Sequence, residues 1–263
     1  MTRGQVLAAM EDNLAEHVAY VQARTAGMHV EDDAGLLLVD SGLPSDTFNK
    51  ILRARLAAED AGARIRAAAG HFREKDLPFT WWAGPLSQPD ELPRLLADEG
   101  LRAAETELGM AAFRESLPAR IDLPDGLEIR RVTDAEALGH FARINAANWD
   151  PPDPAVGEFF HRAAPLLLRR GCPMRLYAGY LRGEPAATAE LFLGGGAAGI
   201  HMVSTLRAFR RRGIGSAMTW HCAFEGLRAD LETVVLQASS DGAPVYARLG
   251  FEAVCEFTEY APA

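Results

Sequence analysis

A seven-residue turn, Arg210 to Ser216 (RRRGIGS), constrains the fold of this chain more than any other part of its sequence. A strand-like apolar run ends before it at Thr205, and a helical pattern begins at Ile214. Glycines separated by one residue let the backbone curl so that successive N–H groups point at one spot, and the new helix adds its positive end. Arginine supplies paired contacts to phosphate oxygens. The turn therefore predicts a binding site for a pyrophosphate group.

The turn differs from the other glycine-rich phosphate sites. It lacks the Gly-Lys-Ser/Thr of a P-loop, and with it the lysine and the hydroxyl that binds magnesium. It also lacks Gly-x-Gly-x-x-Gly, and it follows a run of predicted antiparallel strands instead of opening a βαβ unit. A solvated turn without a ligand is the competing interpretation. The arginine three residues before the first glycine, with a strand before and a helix after, favours the phosphate site.

The second half of the chain has a readable order of elements. We predict strands at residues 127–132, 174–181, 186–193, 198–205, 233–238 and 251–260, and helices at 134–148, 154–170, 214–228 and 243–249. Residues 182–185 (RGEP) and 194–196 (GGG) form turns between three consecutive strands, so these strands should make an antiparallel meander. The order indicates an α+β fold, with a mixed, mostly antiparallel central sheet flanked by helices.

The first half has a less regular pattern. We predict helices at residues 14–26, 51–75 and 91–99, and strands at 35–40, 78–83 and 101–113. Its last part (strand, short helix, Gly100-Leu101, strand) parallels the end of the chain (strand, short helix, Gly250-Phe251, strand), which indicates an internal duplication. Two prolines and a glycine between Leu117 and Gly126 mark the division. We therefore predict a degenerate copy over residues 1–118, a linker over 119–126, and a ligand-binding domain over 127–263.

The composition narrows the class of protein. Hydrophobic residues make up 48% and charged residues 24% of the 263 residues, the balance of a globular protein. The net charge of −9 argues against nucleic acid as a partner, and the dense basic cluster within residues 207–212 suits a single anionic ligand. No apolar run approaches the ~20 residues of a membrane span, so we expect no membrane partner.

The cysteines and histidines give no metal-binding pattern. Cys172, Cys222 and Cys255 are odd in number, widely spaced and never in a Cys-x-x-Cys pair, which argues against a disulfide framework and thiolate metal sites. No two histidines have the spacing of metal ligands. The N-terminus is acidic and amphipathic and lacks the pattern of a signal peptide. We therefore predict a cytoplasmic protein without a metal.

At the turn and near the C-terminus the chain resembles the GCN5-related N-acetyltransferases. The family pattern Arg/Gln-x-x-Gly-x-Gly/Ala is matched by residues 210–215 (RRRGIG), and its Tyr-x-x-x-Gly-Phe by residues 246–251 (YARLGF). The resemblance covers roughly residues 127–260 in order and spacing. It implies the acyl-CoA N-acyltransferase fold, here duplicated, and direct transfer of an acetyl group from acetyl-CoA to an amine.

The resemblance also implies roles for individual residues. The backbone from Val203 to Thr205 would pair with the pantetheine arm, and the N–H of Val203 would polarise the thioester carbonyl. Tyr246 stands where the family commonly keeps a general acid, and a phenol stays protonated at neutral pH. Ser239 replaces the asparagine with which many relatives contact the cofactor. The implied cofactor-binding residues are Val203, Ser204, Thr205, Arg210, Arg211, Arg212, Gly213, Ile214, Gly215, Ser216 and Ser239.

The general base is not settled by the sequence. His201 shares a strand face with Val203 and lies near the position of a glutamate in some relatives, and Glu190 on the preceding strand is the next candidate. A structural histidine and a water chain are the competing interpretations. The predicted catalytic residues are Tyr246, His201 and Glu190. The stretches 81–82 (WW) and 149–152 (WDPP) are further candidates for acceptor contact.

We therefore predict an N-acetyltransferase of EC class 2.3.1 that acts on a small-molecule amine, since two-domain chains resemble small-molecule acetyltransferases more than histone-type enzymes. One alternative is a catalytically silent acyl-CoA-binding or sensing module, which needs neither Tyr246 nor a base. Another is a protein N-acetyltransferase, which needs a long open groove. The acceptor, the acyl chain length, the contribution of the first half to the acceptor site and the oligomeric state, with a homodimer as one alternative, stay open.

Overall fold

The computed structural model describes residues 1–33 and 35–263. The helices are α1 Arg3–Gln22, α2 Ala61–Arg73, α3 Leu92–Asp98, α4 Ala135–Ala146, α5 Pro154–Leu167, α6 Ile214–Leu227 and α7 Ala243–Arg248. The strands are β1 His29–Asp33, β2 Leu36–Asp40, β3 Lys50–Leu52, β4 Thr80–Ala83, β5 Leu101–Phe113, β6 Leu127–Arg131, β7 Met174–Leu181, β8 Glu184–Gly194, β9 Ala197–Thr205, β10 Thr233–Ala238 and β11 Glu252–Pro262.

Within the described part of the chain, the strands form one 11-stranded sheet in the order β1-β2-β3-β4-β11-β5-β10-β9-β8-β7-β6. The pairs β3–β4 and β9–β10 are parallel, and the other neighbouring strands are antiparallel. The meander predicted around the two turns is the antiparallel run β7-β8-β9. The predicted α+β class, with a mixed and mostly antiparallel sheet flanked by helices, is confirmed.

The two halves of the chain share this sheet by exchanging their last strands. β5, from the first half, lies between β10 and β11, and β11, at the end of the chain, lies between β4 and β5. The β5–β11 pairing runs from Leu101 opposite Pro262 to Ala111 opposite Glu252. Residues 119–126 form neither helix nor strand. The hydrogen-bonded sheet is therefore continuous across the predicted domain division, which stays a prediction.

Most predicted elements are confirmed within a few residues, and the differences have physical causes. α1 begins well before residue 14 because Thr2 and Gln5 form a reciprocal capping box at its start. The predicted helix over 51–75 is wrong in its first part. Ile51 is fully buried in β3, paired with Leu38 on one side and Trp81 on the other, and α2 begins only at Ala61. The exposed, acidic β1 was not predicted.

Helices cover both faces of the sheet. α6 packs on one face, where Ala217, Met218 and Cys222 are fully buried against β8 and β9. On the other face, α4 and α5 pack their aromatic side chains against β7 and β8, with Phe141 and Phe160 at the centre. The helix α1 covers the middle of that same face, beside β8 and β9. An element of the first half therefore lies directly on strands of the second half.

Asn13 on α1 fixes this helix to the turn between β8 and β9. Its Nδ2 donates to the carbonyls of Gly194 at 2.8 Å and Ala197 at 3.0 Å. The approach is close because the turn is made of glycine. A Cβ built on Gly195 would lie 2.2 Å from the backbone nitrogen of Asn13. The position of α1 on the second half is therefore set by contacts that tolerate little added volume.

Gly195→Ala is expected to destabilise the protein by about 1–3 kcal/mol more than Gly196→Ala. Both glycines have a positive φ, +56° for Gly195 and +76° for Gly196, so both substitutions carry backbone strain. Gly195 alone of this pair faces α1, whereas no described atom lies within 4 Å of a Cβ on Gly196. Urea unfolding of the two variants measures the difference. Equal midpoints would contradict the close docking of α1.

Candidate functional site

The sheet opens where β9 and β10 separate. Over the described residues these parallel strands pair only at Ala198 with Val234 and at Gly199 with Val235, although both continue further. On its other side β9 has an irregular register with β8, and within it Met202 adopts a left-handed backbone with φ 48°. This bulge bends β9 away from β10. The backbone from Val203 to Thr205 is therefore left without β10 as a partner and can pair with an extended ligand.

A cleft of about 750 Å³ begins at this opening and runs to the arginine–glycine turn. The predicted cofactor-binding residues on its walls are Val203, Ser204, Thr205, Arg210, Arg211, Gly213, Ile214, Gly215, Ser216 and Ser239. Arg212 does not line the cleft. Its guanidinium donates to the carbonyl of Ala208 at 3.2 Å and lies 5.7 Å from the ring centre of Phe209. A pyrophosphate contact from Arg212 stays a prediction.

The start of α6 has the features of an anion site. Gly213 adopts the left-handed conformation with φ 76°, and no described side chain caps the first N–H groups of the helix. A Cβ on Gly215 would have Thr205 Oγ1, at 3.8 Å, as its nearest neighbour, so packing does not require this glycine. Arg210 Nε donates to the carbonyl of Thr205 at 2.9 Å and ties the turn to the end of β9. Open N–H groups and free space together suit a bound phosphate.

Tyr246 on α7 lies at the inner end of this cleft. Burial, followed by the charge of Glu107, raises the pKa of its phenol to about 12. The phenol therefore keeps its proton throughout the neutral range and can act as a proton donor. At Gly250, in the same motif, glycine is required for a structural reason. Its φ is 95°, and a Cβ there would lie 2.0 Å from the carbonyl oxygen of Ser116.

A second cavity, of about 550 Å³, meets the cleft at its inner end. Val203, Ser239 and Tyr246 line both cavities. The walls of the second cavity come from both halves of the chain. The polar and aromatic side chains on these walls include His17, Asp46, Lys50, Trp82, Glu105, Glu107, Trp149, Glu190, His201 and Glu259. The described structure therefore brings the first half of the chain to the candidate site.

The tryptophan stretches proposed from the sequence divide between core and cavity. Trp81 is fully buried in the core of the first half, whereas its neighbour Trp82 lines the second cavity. Trp149 also lines this cavity and is 40% exposed, so it lies at the rim. The ring of Trp82 lies 4.9 Å from Lys50 Nζ. Aromatic surface is therefore available to the apolar part of a ligand.

Carboxylates dominate the charge of the second cavity. Burial, together with the charges of Glu105 and Glu259, raises the pKa of Glu107 to about 7. Burial also raises the pKa of Glu259 and lowers that of Lys50, and in both cases the opposite charge nearby resists the shift. Asp46 and Glu190 add to the acidic wall. The cavity therefore attracts cations, and it does so more strongly as the pH rises through 7.

Glu107→Gln is expected to raise the free energy of unfolding at pH 8 by about 1–2 kcal/mol, allowing for solvent screening. The folded protein holds the proton of Glu107 up to a pKa of about 7, above the ordinary value of 4.5, so the stability that this group contributes below pH 4.5 is lost as the pH rises through 7. The substitution removes that loss. Urea unfolding at pH 5 and pH 8 measures it, with exposed Glu252→Gln as the control. A pH dependence unchanged by Glu107→Gln would contradict the assignment.

The candidate bases His201 and Glu190 lie opposite each other on β9 and β8, and a third group joins them. His17, on α1, donates from Nε2 to Glu190 Oε1 at 2.6 Å, and its ring stacks on that of His201 with 3.8 Å between centroids. Glu190 is buried, with 1% exposure. Burial, followed by the charge of His17, lowers the pKa of His201 well below its ordinary value. His201 is therefore neutral at pH 7 and a weak base.

Sequence reasoning missed His17. A usable signal was present, because Asn13 and His17 lie one turn apart on the helix face that also carries Met10, Leu14 and Val18. Polar side chains on an apolar helix face need partners, and here the partners are on β8 and β9. The helix itself was predicted to begin only at residue 14, which left Asn13 outside it.

Over residues 1–33 and 35–263, no helix is long and apolar enough to cross a membrane. Nor do the described residues include a group of three or more His, Cys, Asp or Glu side chains that could hold a metal ion.

The splayed parallel pair, the uncapped helix behind a glycine turn and the tyrosine at the inner end of the cleft are the features expected from the resemblance to the acetyltransferases. Residues 111–242, half of the chain, match the family model described as the acetyltransferase (GNAT) domain. The chain belongs to the GCN5-related N-acetyltransferase family. The match begins inside β5, which lies beside β10 in the sheet.

Solved structures share this fold over nearly the whole chain. A GCN5-related N-acetyltransferase from Kribbella flavida aligns with a TM-score of 0.73 at 16% identity, covering 97% of this chain and 95% of the other. One from Sphaerobacter thermophilus aligns with a TM-score of 0.63 at 15% identity, covering 99% and 93%. A tandem GNAT protein from the clavulanic acid biosynthesis pathway gives 0.61 at 17%, covering 99% and 94%. No curated protein matches the sequence.

Proposed function

We propose that this protein transfers the acetyl group of acetyl-CoA to the amine of a small cationic acceptor. The observation that carries the proposal is the junction at Val203, Ser239 and Tyr246, where the cleft from the glycine turn meets the acidic second cavity. A thioester held at the inner end of the cleft would be presented to an acceptor in the cavity. Both reactants and a proton donor would then be within one connected space.

The residues present fit acetyl-CoA. The uncapped N–H groups of α6, the free space beside Gly215 and the Arg210 side chain would hold the pyrophosphate. The open backbone from Val203 to Thr205 would pair with the amides of the pantetheine arm. The acetyl-CoA supplies the activated acyl group, and the chain supplies its orientation and the proton transfers.

The reaction would proceed by direct attack. The neutral amine forms a bond to the thioester carbonyl carbon, and the oxyanion that results accepts a hydrogen bond from the N–H of Val203. The carbon–sulfur bond then breaks, and Tyr246 gives its proton to the departing thiolate. The attacking nitrogen, which became cationic on forming the new bond, loses one proton to the tyrosinate, and this restores the phenol. The pKa of about 12 keeps Tyr246 protonated between turnovers.

The walls of the second cavity support a small cationic amine as the acceptor. Asp46, Glu105, Glu107 and Glu259 would attract an ammonium group, and an anionic acceptor would be repelled. The volume of about 550 Å³ lies in the range of small-molecule sites. Both halves contribute walls to this space of limited volume, which favours a small molecule over a protein segment that needs a long groove.

A melting curve with acetyl-CoA tests the first half of the proposal. Ligand at 100 times its dissociation constant should add about 2.7 kcal/mol of stability. No shift with acetyl-CoA or with longer acyl-CoAs would contradict both the transferase and a silent acyl-CoA sensor. Release of free thiol in the presence of a panel of mono- and diamines separates these two, because a sensor binds the thioester without consuming it. Release with neutral or anionic amines alone would contradict the cationic acceptor.

A further inference from the structure

The cluster of His17, Glu190 and His201 joins the two halves of the chain at the wall of the second cavity, which is called the acceptor cavity from here on. His17 belongs to α1 of the first half, and Glu190 and His201 belong to β8 and β9 of the second. The carboxylate of Glu190 lies 2.6 Å from His17 Nε2, and the two imidazole rings are stacked within 9° of parallel. All three side chains line the acceptor cavity.

The partners of His17 determine which of its nitrogens carries the proton. A carboxylate only accepts, so Nε2 must hold a hydrogen to bond Glu190. In the neutral ring Nδ1 is then left with its lone pair. Nδ1 is buried and has no hydrogen-bond partner among residues 1–33 and 35–263. A buried ring nitrogen without a partner is unfavourable, and because the His17 side chain lines the cavity, a molecule bound there could supply the missing donor.

His201 is arranged differently. Its Nε2 lies 3.2 Å from Asn13 Oδ1, whose own Nδ2 donates to backbone carbonyls, so Asn13 Oδ1 accepts a hydrogen from His201. Its pKa is lowered well below the ordinary value by burial and by the charge of His17. His201 therefore acts as a flat surface on which the ring of His17 rests. The contacts of Asn13, one turn before His17, keep both rings in place.

We propose that His17, oriented by Glu190, is the general base that takes the proton of the acceptor ammonium, so that the first half of the chain completes the active site. The inference rests on the proposed acetyl transfer. The acceptor ammonium loses one proton to His17 Nδ1 and becomes a neutral amine, and the charge of the resulting imidazolium is balanced by Glu190. The imidazolium returns this proton to solvent after each turnover. Glu190 is a positioning residue because it acts through His17.

Other titratable groups face the same space, and the carboxylates on β5 and β11 and before β3 compete for the role of base. The titratable groups are Glu190 on β8, His201 on β9, Glu105 and Glu107 on β5, Glu259 on β11, Lys50 on β3 and Asp46 before β3, with Glu16 on α1 itself bound to the N–H of Gly195. Glu107 is the strongest competitor because it lies near the proposed proton donor: its charge raises the pKa of Tyr246. Any test of His17 therefore needs Glu107→Gln beside it.

His17→Gln is expected to lower kcat/KM by about 10²–10⁴-fold, the usual contribution of a general base, without changing the affinity for acetyl-CoA. The acidic limb of the pH profile should change as well. With the base present, kcat/KM levels off once the base has lost its proton. Without it, kcat/KM should keep rising with pH towards the titration of the free amine. A purely structural role would lower the rate and leave the shape of the profile unchanged.

The matched control is His71→Gln, because His71 also pairs with a buried carboxylate, Asp40, at 2.8 Å but lies outside the acceptor cavity. This variant should keep both the rate and the pH profile. His17→Ala offers a second readout, since imidazole in solution should restore part of its activity by filling the place beside His201. Loss of the acidic limb in Glu107→Gln with its retention in His17→Gln would overturn the inference. If the protein without any substitution were inactive, the proposed acetyl transfer itself would be contradicted.

Discussion

A Tyr246→Phe variant is expected to lose about 10²–10⁴-fold in turnover, the usual range for an acid or base that transfers a proton in the transition state. The side chain lies where the two cavities meet, and with a pKa raised to about 12 it holds its proton throughout the neutral range. Phenylalanine keeps the ring and removes the hydroxyl. The affinity for acetyl-CoA, measured by titration calorimetry, should therefore change little while kcat falls.

Tyr177→Phe is the matched control for Tyr246. Burial raises the pKa of this phenol to about 12 as well, but Tyr177 packs against His221 on α6 and lines neither the cleft nor the acceptor cavity. Its loss should leave kcat within a few-fold of the unchanged protein. Equal turnover in Tyr246→Phe and the unchanged protein would mean that the thiolate departs without this proton, and the assignment of the general acid would be wrong.

Gly215→Val is expected to weaken acetyl-CoA binding by about 100-fold or more. Two charge-assisted hydrogen bonds to phosphate contribute about 1.5–3 kcal/mol each, and a side chain at this position would fill the space that the phosphate needs. The fold should tolerate the change, because the nearest neighbour of a Cβ on Gly215 is Thr205 Oγ1 at 3.8 Å. Titration calorimetry with acetyl-CoA and a urea unfolding curve together separate lost binding from lost structure.

Gly157→Val on α5 provides the control, since a Cβ built on this helical glycine meets no neighbouring described residue within 4 Å and Gly157 lies outside the cleft. It carries the same β-branched side chain into a helix, so it accounts for the loss of helix propensity. Its acetyl-CoA affinity should match that of the unchanged protein. Undiminished binding by Gly215→Val would contradict the placement of the pyrophosphate at the start of α6.

The candidate cofactor cleft was predictable because the features that define it are local in sequence. A strand, a glycine turn and the first turn of a helix follow one another within residues 197–216, and the physics of open N–H groups depends on that order alone. The meander before the turn was equally readable, since glycine-rich turns separate strands of similar length. Strand β5 was predicted over its observed bounds because a glycine turn at Gly100 precedes it and its last residues are apolar.

The acceptor site was not predictable in the same way. His17 and Glu190 meet across 173 positions, and no periodicity in either segment specifies the partner of the other. The exchange of β5 and β11 is likewise determined by tertiary packing, because the two strands have similar sequence patterns and either could fill either place in the sheet. The error over residues 51–75 has the same origin, because Ile51 is held in β3 by strands on both sides, and this pairing outweighs the local preference for helix.

The proposed function implies a division of labour between the halves. The second half carries the glycine turn and the open backbone of β9, whereas the first half contributes His17, Lys50, Trp82 and Glu107 to the acceptor cavity. The first half lacks the arginine–glycine turn. On this account, duplication produced one cofactor site and one acceptor site from two copies of a fold, with specificity for the amine residing mainly in the copy that does not bind the cofactor.

The central claim is that the acetyl group passes from acetyl-CoA to a small cationic amine at the junction of the two cavities. The most direct measurement follows acetyl-CoA labelled with ¹³C in its acetyl group by NMR, with a panel of cationic amines and free thiol measured in parallel. The account predicts that the label appears in an amide of the amine, with one thiol released for each amide formed. Tight binding of labelled acetyl-CoA without transfer to any amine, or transfer of the label to protein lysines alone, would contradict it.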